Sequence, residues 1–304
     1  MMKKTTALLL FFLSVLFLQS ASAADRILYE KNSLYQYIVV SEDVMEGKRY
    51  LHNNEKHIRQ GGMDIRNPNK LVFEYYRTSM ISLAFLDDEP KEILVVGLGA
   101  GAVPKYLNRY YPDATIDVVE IDPEVLTVAQ KYFQFKENDK MKVHINDGRM
   151  FIKRTKKKYD LIFLDAYRHG TIPFHLTTRE FLAETKRILK PGGVVTSNIL
   201  SESANQFHDS MIVTYQDAFE HLYIFSGKQS ENHVFVATDQ KKVKRQKEAL
   251  EKSRRITTEK RLDVNLPTIA EDYTYGSILR DIKADMLTDD FAPVDILRHK
   301  RSRS

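Results

Sequence analysis

The sequence predicts an α/β fold in which a doubly wound, mostly parallel sheet follows a small antiparallel β module. Three observations predict this fold. Short apolar runs alternate with helical patterns between residues 93 and 200, which is typical of strand–helix–strand units. The first run, 93–96, is continuously apolar, as in a strand buried on both faces. Residues 34–62 instead contain short β-rich pieces separated by turn residues.

The first 23 residues have the pattern of a secretory signal peptide. Lys3 and Lys4 precede an apolar run over 7–18, and the small residues 21–23 follow. This pattern predicts cleavage before Ala24 and a secreted or periplasmic protein. An uncleaved membrane anchor is less favoured because the run is too short to span a bilayer comfortably. We expect no transmembrane segment after cleavage.

Two units follow the signal peptide in the predicted domain organisation. Residues 24–68 form the β module, with strands near 34–40, 49–52 and Ile58. Residues 69–304 form a second, Rossmann-like domain, which begins with a helix over 71–86.

The rest of the chain continues the alternation of helices and strands. Thr177 and Glu180 have the spacing of a capping box, and Pro191-Gly192-Gly193 is expected to stop that helix. The predicted elements are a helix over 122–133, a strand over 141–145, a helix opened by Met150, a strand over 159–164, a helix over 177–189, a strand over 194–200, a helix over 209–220, paired strands over 222–225 and 233–237, and an exposed helix over 240–255.

A glycine-rich turn after the first apolar strand predicts a nucleoside site. Gly97, Gly99 and Gly101 allow a sharp turn and let a ligand approach bare backbone. Glu120 ends the next apolar strand, where a carboxylate can accept hydrogen bonds from both ribose hydroxyls. The order of strand, glycine turn, helix, strand and acid favours a nucleoside site over a purely structural turn.

Two further acids follow strand ends and are expected to converge on the same crevice. Asp147, with Gly148 after it, would accept a hydrogen bond from an adenine amino group, the glycine leaving room for the base. The alternative that Asp147 only caps its helix is equally favoured. Asp165 precedes an irregular loop over 166–176 and is expected to face the reacting centre.

Several classes of function are disfavoured by the sequence. Cleavage of the signal peptide would lower the net charge from +5 to +3, which is too mild to indicate a nucleic-acid partner, and the absence of cysteine rules out disulfides and thiol chemistry. His144, His169 and His175 have no metal-ligand spacing, so no metal is predicted. No serine lies in a nucleophile elbow, so a hydrolase triad is disfavoured. No Lys-Ser/Thr pair ends the glycine loop, so a phosphate-binding nucleotidase is disfavoured as well.

These motifs resemble the spermidine synthase (polyamine aminopropyltransferase) family, which has the class I S-adenosylmethionine-dependent methyltransferase fold. The resemblance runs from about residue 35 to 200 and predicts a seven-stranded Rossmann-like sheet behind the β module. The matching segments are 97–102, 119–122, Asp147-Gly148, Leu164-Asp165 and 189–193.

The resemblance implies transfer of an aminopropyl group from decarboxylated S-adenosylmethionine, a co-substrate that is not permanently bound, to an amine such as putrescine. Asp165 would take or orient the amine proton, and the family's usual homodimer is expected. The residues implied for the donor are Gln36 at the thioether end, Gly97, Gly99, Gly101, Glu120 at the ribose, Ile121, Asp147 and Gly148. The residues implied for the acceptor are Tyr75, Tyr76 and Arg168.

Three positions depart from the family pattern. Ala100, Arg77 and Arg168 stand where the family has acidic residues. An arginine could bind a carboxylate with two hydrogen bonds, as intact S-adenosylmethionine or an acidic acceptor would offer. A methyltransferase is therefore the second hypothesis, and a non-catalytic nucleoside-binding protein of the same fold is the third.

Overall fold

The structure is a computed structural model that describes residues 25–53, 58–168, 170–228, 230–275 and 283–291. The predicted signal peptide, residues 1–23, and His169 lie outside these ranges. Within them, no helix combines the length and apolar character needed to cross a bilayer.

The chain forms two sheets, which confirm the predicted α/β class with an N-terminal antiparallel module. The first sheet is antiparallel and contains, in spatial order, β1 Arg26–Asn32, β2 Tyr37–Asp43, β3 Lys48–Asn53 and β4 Arg59–Asp64. The second sheet contains β5 Glu92–Val96, β6 Thr115–Glu120, β7 Met141–Ile145, β8 Tyr159–Leu164, β9 Leu189–Leu200, β10 His221–Ser226, β11 Asn232–Thr238 and β12 Thr274–Tyr275.

The second sheet has the strand order β12-β10-β11-β9-β8-β5-β6-β7. The strands from β9 to β7 run parallel, whereas β11, β10 and β12 are antiparallel. Within the described residues this sheet has eight strands and not the predicted seven. The two residues of β12 are too few to show the period-two pattern by which a strand is recognised in a sequence.

Strand β5 is buried on both faces of the parallel region. Ile93 and Val95 pack into one hydrophobic cluster, and Leu94 and Val96 pack into the other. This division follows from the alternation of side chains along a strand. It explains the continuous apolar run and places the glycine loop at the centre of the sheet's carboxyl edge.

The helices of the described residues differ from several predicted boundaries. The helix predicted over 71–86 is wrong in length and type, because a short α-helix passes into a 3₁₀ turn. There the Phe85 N–H donates to the Ser82 carbonyl at 3.0 Å, in the three-residue spacing of the tighter turn. The helices are α1 Glu74–Ser79, α2 Ala102–Tyr110, α3 Pro123–Tyr132, α4 Gly148–Arg154, α5 Arg179–Arg187, α6 His208–Ala218, α7 Gln246–Glu259 and α8 Leu266–Ala270, with 3₁₀ turns over Met80–Ala84 and Phe174–Leu176.

The predictions for both ends of α5 are wrong. The hydroxyl oxygen of Thr178, not Thr177, caps the helix by accepting a backbone N–H at 3.2 Å. The Thr177 hydroxyl donates instead to the Phe174 carbonyl at 2.7 Å, so the capping box with Glu180 does not form. The proline-glycine-glycine segment lies inside β9, where Gly192 supplies a φ of +77°.

The helix predicted over 240–255 begins later, at the start of α7. Gln240 is buried, and its Nε2 donates to the Phe85 carbonyl at 2.7 Å and to the Gly192 carbonyl at 3.0 Å. This side chain therefore ties the loop before α7 to two other segments.

The β module packs over the carboxyl edge of the parallel strands. A Cβ on Gly61 of β4 would lie 2.9 Å from the Ala100 Cβ, so the module touches the glycine loop. Arg49 Nη1 donates to the Tyr132 carbonyl at 2.7 Å, which links β3 to the end of α3. The module thereby covers the edge where a ligand is expected and encloses a cavity there.

Candidate active site

A cavity of about 500 Å³ lies between the β module and the carboxyl ends of β5, β6 and β8. This is the edge at which doubly wound sheets bind ligands. Gly101 does not line the cavity: a Cβ there would lie 2.6 Å from Phe135 Cδ2, so packing explains this glycine. The predicted site residues that line the cavity are Gln36, Tyr75, Tyr76, Gly97, Gly99, Glu120, Ile121, Asp147, Gly148, Asp165 and Arg168.

The glycine loop combines one tight contact with one open position. Gly97 has a φ of +100°, and a Cβ there would lie 2.4 Å from the Asp165 carbonyl oxygen. Gly99 also has positive φ, but a Cβ there would meet nothing within 4 Å. Gly97 therefore lets β5 and β8 end side by side, and Gly99 leaves bare backbone facing the cavity.

Glu120 is held in a fixed orientation at the end of β6. Its Oε2 accepts the Leu98 N–H and its Oε1 accepts the Asp122 N–H, both at 3.0 Å. Burial raises the pKa of the Glu120 carboxyl, and these backbone donors oppose that rise. A carboxylate has about four lone pairs on its two oxygens, so it can still accept a hydrogen bond from a ligand hydroxyl.

Asp147 caps a helix and also borders the cavity, so the two interpretations of this residue are compatible. Its Oδ1 accepts the Met150 N–H at 2.9 Å, and its Oδ2 lies 2.9 Å from His175 Nε2. The hydrogen bond with His175 lowers the pKa of Asp147. A Cβ on Gly148 would lie 2.6 Å from Val96 Cγ1, so close packing, and not only room for a base, requires this glycine.

Asp165 lies at the end of β8, deep in the cavity and beside aromatic rings. Burial raises the pKa of Asp165 to about 7, although a hydrogen bond from Asn198 partly opposes the shift. Burial and the nearby Asp165 charge also raise the pKa values of Tyr75 and Tyr76, whose ring centroids are 4.3 Å apart. A carboxyl with this pKa can both accept and return a proton near neutral pH.

Sequence reasoning missed two asparagines that support Asp165. Asn232 Nδ2 on β11 donates to Asn198 Oδ1 at 2.8 Å, and Asn198 Nδ2 on β9 donates to Asp165 Oδ1 at 3.0 Å. The Tyr167 hydroxyl donates to the Asn198 carbonyl at 2.8 Å. The amide at position 198, near the carboxyl end of β9, was the one signal in the sequence.

The two arginines at family acid positions have different surroundings. Arg77 does not line the cavity, because its Nη1 donates to the Leu71 and Val72 carbonyls at 3.0 and 2.8 Å. The expectation that Arg77 could bind the carboxylate of a ligand in this cavity is therefore wrong. Arg168 does line the cavity and is exposed at its mouth. The third departure, Ala100, is 1% exposed against Gly61.

Comparisons with known proteins show which family the chain is similar to. A family model described as "Spermine/spermidine synthase domain" matches residues 73–222. A polyamine aminopropyltransferase from Vibrio vulnificus is 35% identical over 288 residues, covering 90% of this chain and 91% of that protein.

Two solved structures share the fold. A probable spermidine synthase from Corynebacterium glutamicum has a TM-score of 0.68 at 21% identity, covering 85% of this chain and 95% of that one. Human methyltransferase-like protein 13, in complex with SAH, has a TM-score of 0.58 at 29% identity, covering 62% of this chain and 93% of that one. The alignment with the Vibrio relative covers nearly the full length of both proteins, so the chain belongs to the spermidine synthase (polyamine aminopropyltransferase) family.

Proposed function

We propose that this protein transfers an aminopropyl group from decarboxylated S-adenosylmethionine to a small amine such as putrescine. The observation that carries the proposal is Asp165, a half-buried carboxyl with a pKa of about 7 beside the glycine loop. The 35% identity with a polyamine aminopropyltransferase over most of both chains supports the reaction class.

The sulfonium of the donor is already a good leaving group, so the donor needs no activation. The amine, in contrast, must be neutral before it can attack. The amine nitrogen attacks the aminopropyl carbon bonded to the sulfonium, and that carbon–sulfur bond breaks with its electrons moving to sulfur. Methylthioadenosine leaves, and the amine proton passes to Asp165. An alkyl amine has a pKa of roughly 10, so orienting and deprotonating it is the main task of the protein.

The donor would lie along the glycine loop. Glu120, with both oxygens fixed by backbone N–H groups, would accept the ribose hydroxyls. Ile121 and Asp147 would border the adenine, and Gln36 of the β module would contact the thioether end. This orientation directs the sulfonium toward Asp165, which shares a close backbone contact with Gly97.

The acceptor would lie between Tyr75, Tyr76 and Arg168. Aromatic faces attract an ammonium group, so the tyrosines suit the reacting end of an amine. Arg168 at the mouth opposes a second cation, whereas it would attract a carboxylate. We therefore expect an amine with a neutral or acidic far end to compete well with putrescine.

Methyl transfer from intact S-adenosylmethionine is the second candidate. Ala100 removes an acid that would repel the donor's carboxylate, and Arg168 adds a cation in the same cavity. The 29% identity with a methyltransferase-like protein crystallised with SAH favours the same alternative. A non-catalytic nucleoside-binding protein is the remaining candidate.

Calorimetry with methylthioadenosine, S-adenosylmethionine and its decarboxylated form separates these candidates. Tightest binding of the decarboxylated donor, with methylthioadenosine released when putrescine or a carboxylate-bearing amine is added, is expected. Preference for intact S-adenosylmethionine without aminopropyl products would favour methyl transfer. Binding without any turnover would favour the non-catalytic protein, and no nucleoside binding would overturn all three.

Export and dimerisation are separate proposals. Cell fractionation should find the mature chain, beginning at Ala24, outside the cytoplasm, and an unprocessed cytoplasmic chain would contradict export. The nucleoside donor is made in the cytoplasm. An exported enzyme would therefore need a supply of this donor outside the cytoplasm. Light scattering of the purified chain should give the mass of a dimer, and a monomer would contradict that expectation.

A further inference from the structure

Two histidines and a glutamate meet beside the cavity but outside the proposed catalytic machinery. His208 is the first residue of α6, His233 lies on β11, and Glu202 lies in the loop after β9. His208 Nε2 lies 2.7 Å from His233 Nδ1, and His208 Nδ1 lies 3.8 Å from Glu202 Oε2. We propose that these three side chains bind a divalent transition-metal ion of the Zn²⁺ class.

The spacing of the three groups needs little change to suit zinc. One potential ligand atom from each residue lies within 4.8 Å of the others. Zinc–nitrogen bonds of roughly 2.0–2.1 Å in a tetrahedral site place two nitrogens about 3.3 Å apart. The two nitrogens would therefore separate by about 0.6 Å, and their mutual hydrogen bond would be replaced by two metal bonds.

His208 is held in place by burial and packing, whereas the glutamate is largely exposed. The His208 side chain is 7% exposed and the Glu202 side chain is 72% exposed. The His208 ring meets the ring of Phe235 edge-on, with a centroid distance of 5.8 Å. A small rotation of an exposed glutamate costs little, so a metal ion could draw it in.

A neighbouring carboxylate favours the tautomer that a metal requires. Asp209 Oδ1 lies 3.5 Å from His208 Nδ1, which favours the tautomer with its proton on Nδ1. In this tautomer Nε2 carries no proton and can bind the metal. Carboxylates often orient metal-binding histidines in this way.

A metal ion here would stabilise one wall of the cavity. Ala204, from the loop that carries Glu202, lines the cavity, as does Asn232, the residue before His233. Asn232 also begins the hydrogen-bond chain to Asp165. The ion would therefore join the loop to β11, with its fourth position open to water, and would support the site without taking part in the transfer.

Titration of the untagged full-length chain with Zn²⁺ against a chromogenic chelator tests the proposal. One equivalent should bind, and His233→Ala should weaken binding at least tenfold. Glu202→Ala changes a mostly exposed side chain and should also weaken zinc binding while leaving the melting temperature of the metal-free protein unchanged. His221→Ala is the matched control, because His221 bonds to the Tyr275 hydroxyl at 2.9 Å and lies outside the cluster.

Absence of zinc binding by the wild-type chain would overturn the proposal. Equal zinc affinity in the Glu202→Ala and His221→Ala variants would overturn it as well. Metal binding is read without donor or acceptor, so this result is independent of whether aminopropyl transfer is confirmed.

Discussion

The two ends of the cavity are built differently. The proposed donor end consists of the glycine loop and Glu120, whose carboxylate is fixed by two backbone N–H groups. The proposed acceptor end consists of side chains from helix α1 and from the loop after β8, with Asp165 supported through Asn198 and Asn232. The donor end thus depends on backbone geometry, whereas the acceptor end depends on which side chains occupy a few positions.

This difference agrees with the pattern of departures from the family. At the donor end the glycines and Glu120 are retained, where a change would disturb the backbone, whereas the side chain at Ala100 in the same loop departs from the family's acid. Arg168 replaces an acid at the mouth, where an exposed side chain can change without altering the fold. We infer that nucleoside binding is the more constrained property and acceptor choice the more variable one.

Asp165→Asn should have the largest effect on turnover. Loss of the proton acceptor should lower kcat by roughly 10²- to 10⁴-fold, while nucleoside affinity should change little. Single-turnover kinetics and calorimetry measure the two quantities separately. An unchanged kcat would remove Asp165 from the mechanism.

Glu120→Gln should weaken nucleoside binding at the donor end. Losing charged hydrogen bonds of roughly 1.5–3 kcal/mol predicts about a 10- to 100-fold loss of affinity for methylthioadenosine by calorimetry. Because Gln keeps one carbonyl oxygen, the contact with the glycine loop should partly survive and the fold should be retained. Unaltered affinity would contradict the ribose assignment and remove the distinction between the two ends.

The rate should depend on pH through the protonation of Asp165. The carboxyl must be ionised to accept a proton, and its pKa is raised to about 7. We therefore expect kcat/KM to rise about tenfold from pH 6 to pH 8, whereas Asp165→Asn should lose this step. A profile that is flat across this range in the wild type would contradict the proposed base.

The same pKa shift predicts how stability changes with pH. Because the folded-state pKa lies above the unfolded value of about 3.9, the Asp165 term destabilises the fold as pH rises from about 4 through 7. The stability of Asp165→Asn minus that of the wild type should therefore be larger at pH 8 than at pH 4. The melting temperatures of both proteins at pH 4 and pH 8 measure this effect. If the melting temperatures of variant and wild type differ by the same amount at both pH values, burial of the Asp165 charge is not costly.

Arg168→Asp should have the smallest effect, at the acceptor end. Replacing a cation with the acid of the family pattern should lower the KM for putrescine by roughly fivefold, since an exposed charge contributes about 1 kcal/mol. Arg109→Asp, on the surface of α2 and outside the cavity lining, makes the same charge change as a control. Equal KM values in both variants would mean that acceptor choice does not depend on Arg168.

The sequence predicted best what depends on neighbouring residues. The apolar run of β5, the glycines of the turn and the acids at strand ends carry local patterns, and Glu120, Asp147 and Asp165 all reach the cavity. Contacts between distant segments were not predictable. Asn198 with Asn232 and His208 with His233 meet only because β11 pairs with β9 and packs against α6.

Some local patterns failed because several structures satisfy them. Thr177 and Thr178 are adjacent and both able to cap, and the direction of the preceding 3₁₀ turn decides between them. Arg77 shares a helical pattern with the cavity tyrosines, but its guanidinium bonds to backbone carbonyls instead. Side-chain direction at such positions is set by tertiary packing.

The most direct test is a crystal structure of the protein with methylthioadenosine. The account predicts that the ribose hydroxyls contact Glu120, that the adenine lies beside Ile121, and that the sulfur points toward Asp165. A nucleoside bound elsewhere, or one whose sulfur points away from Asp165, would contradict it.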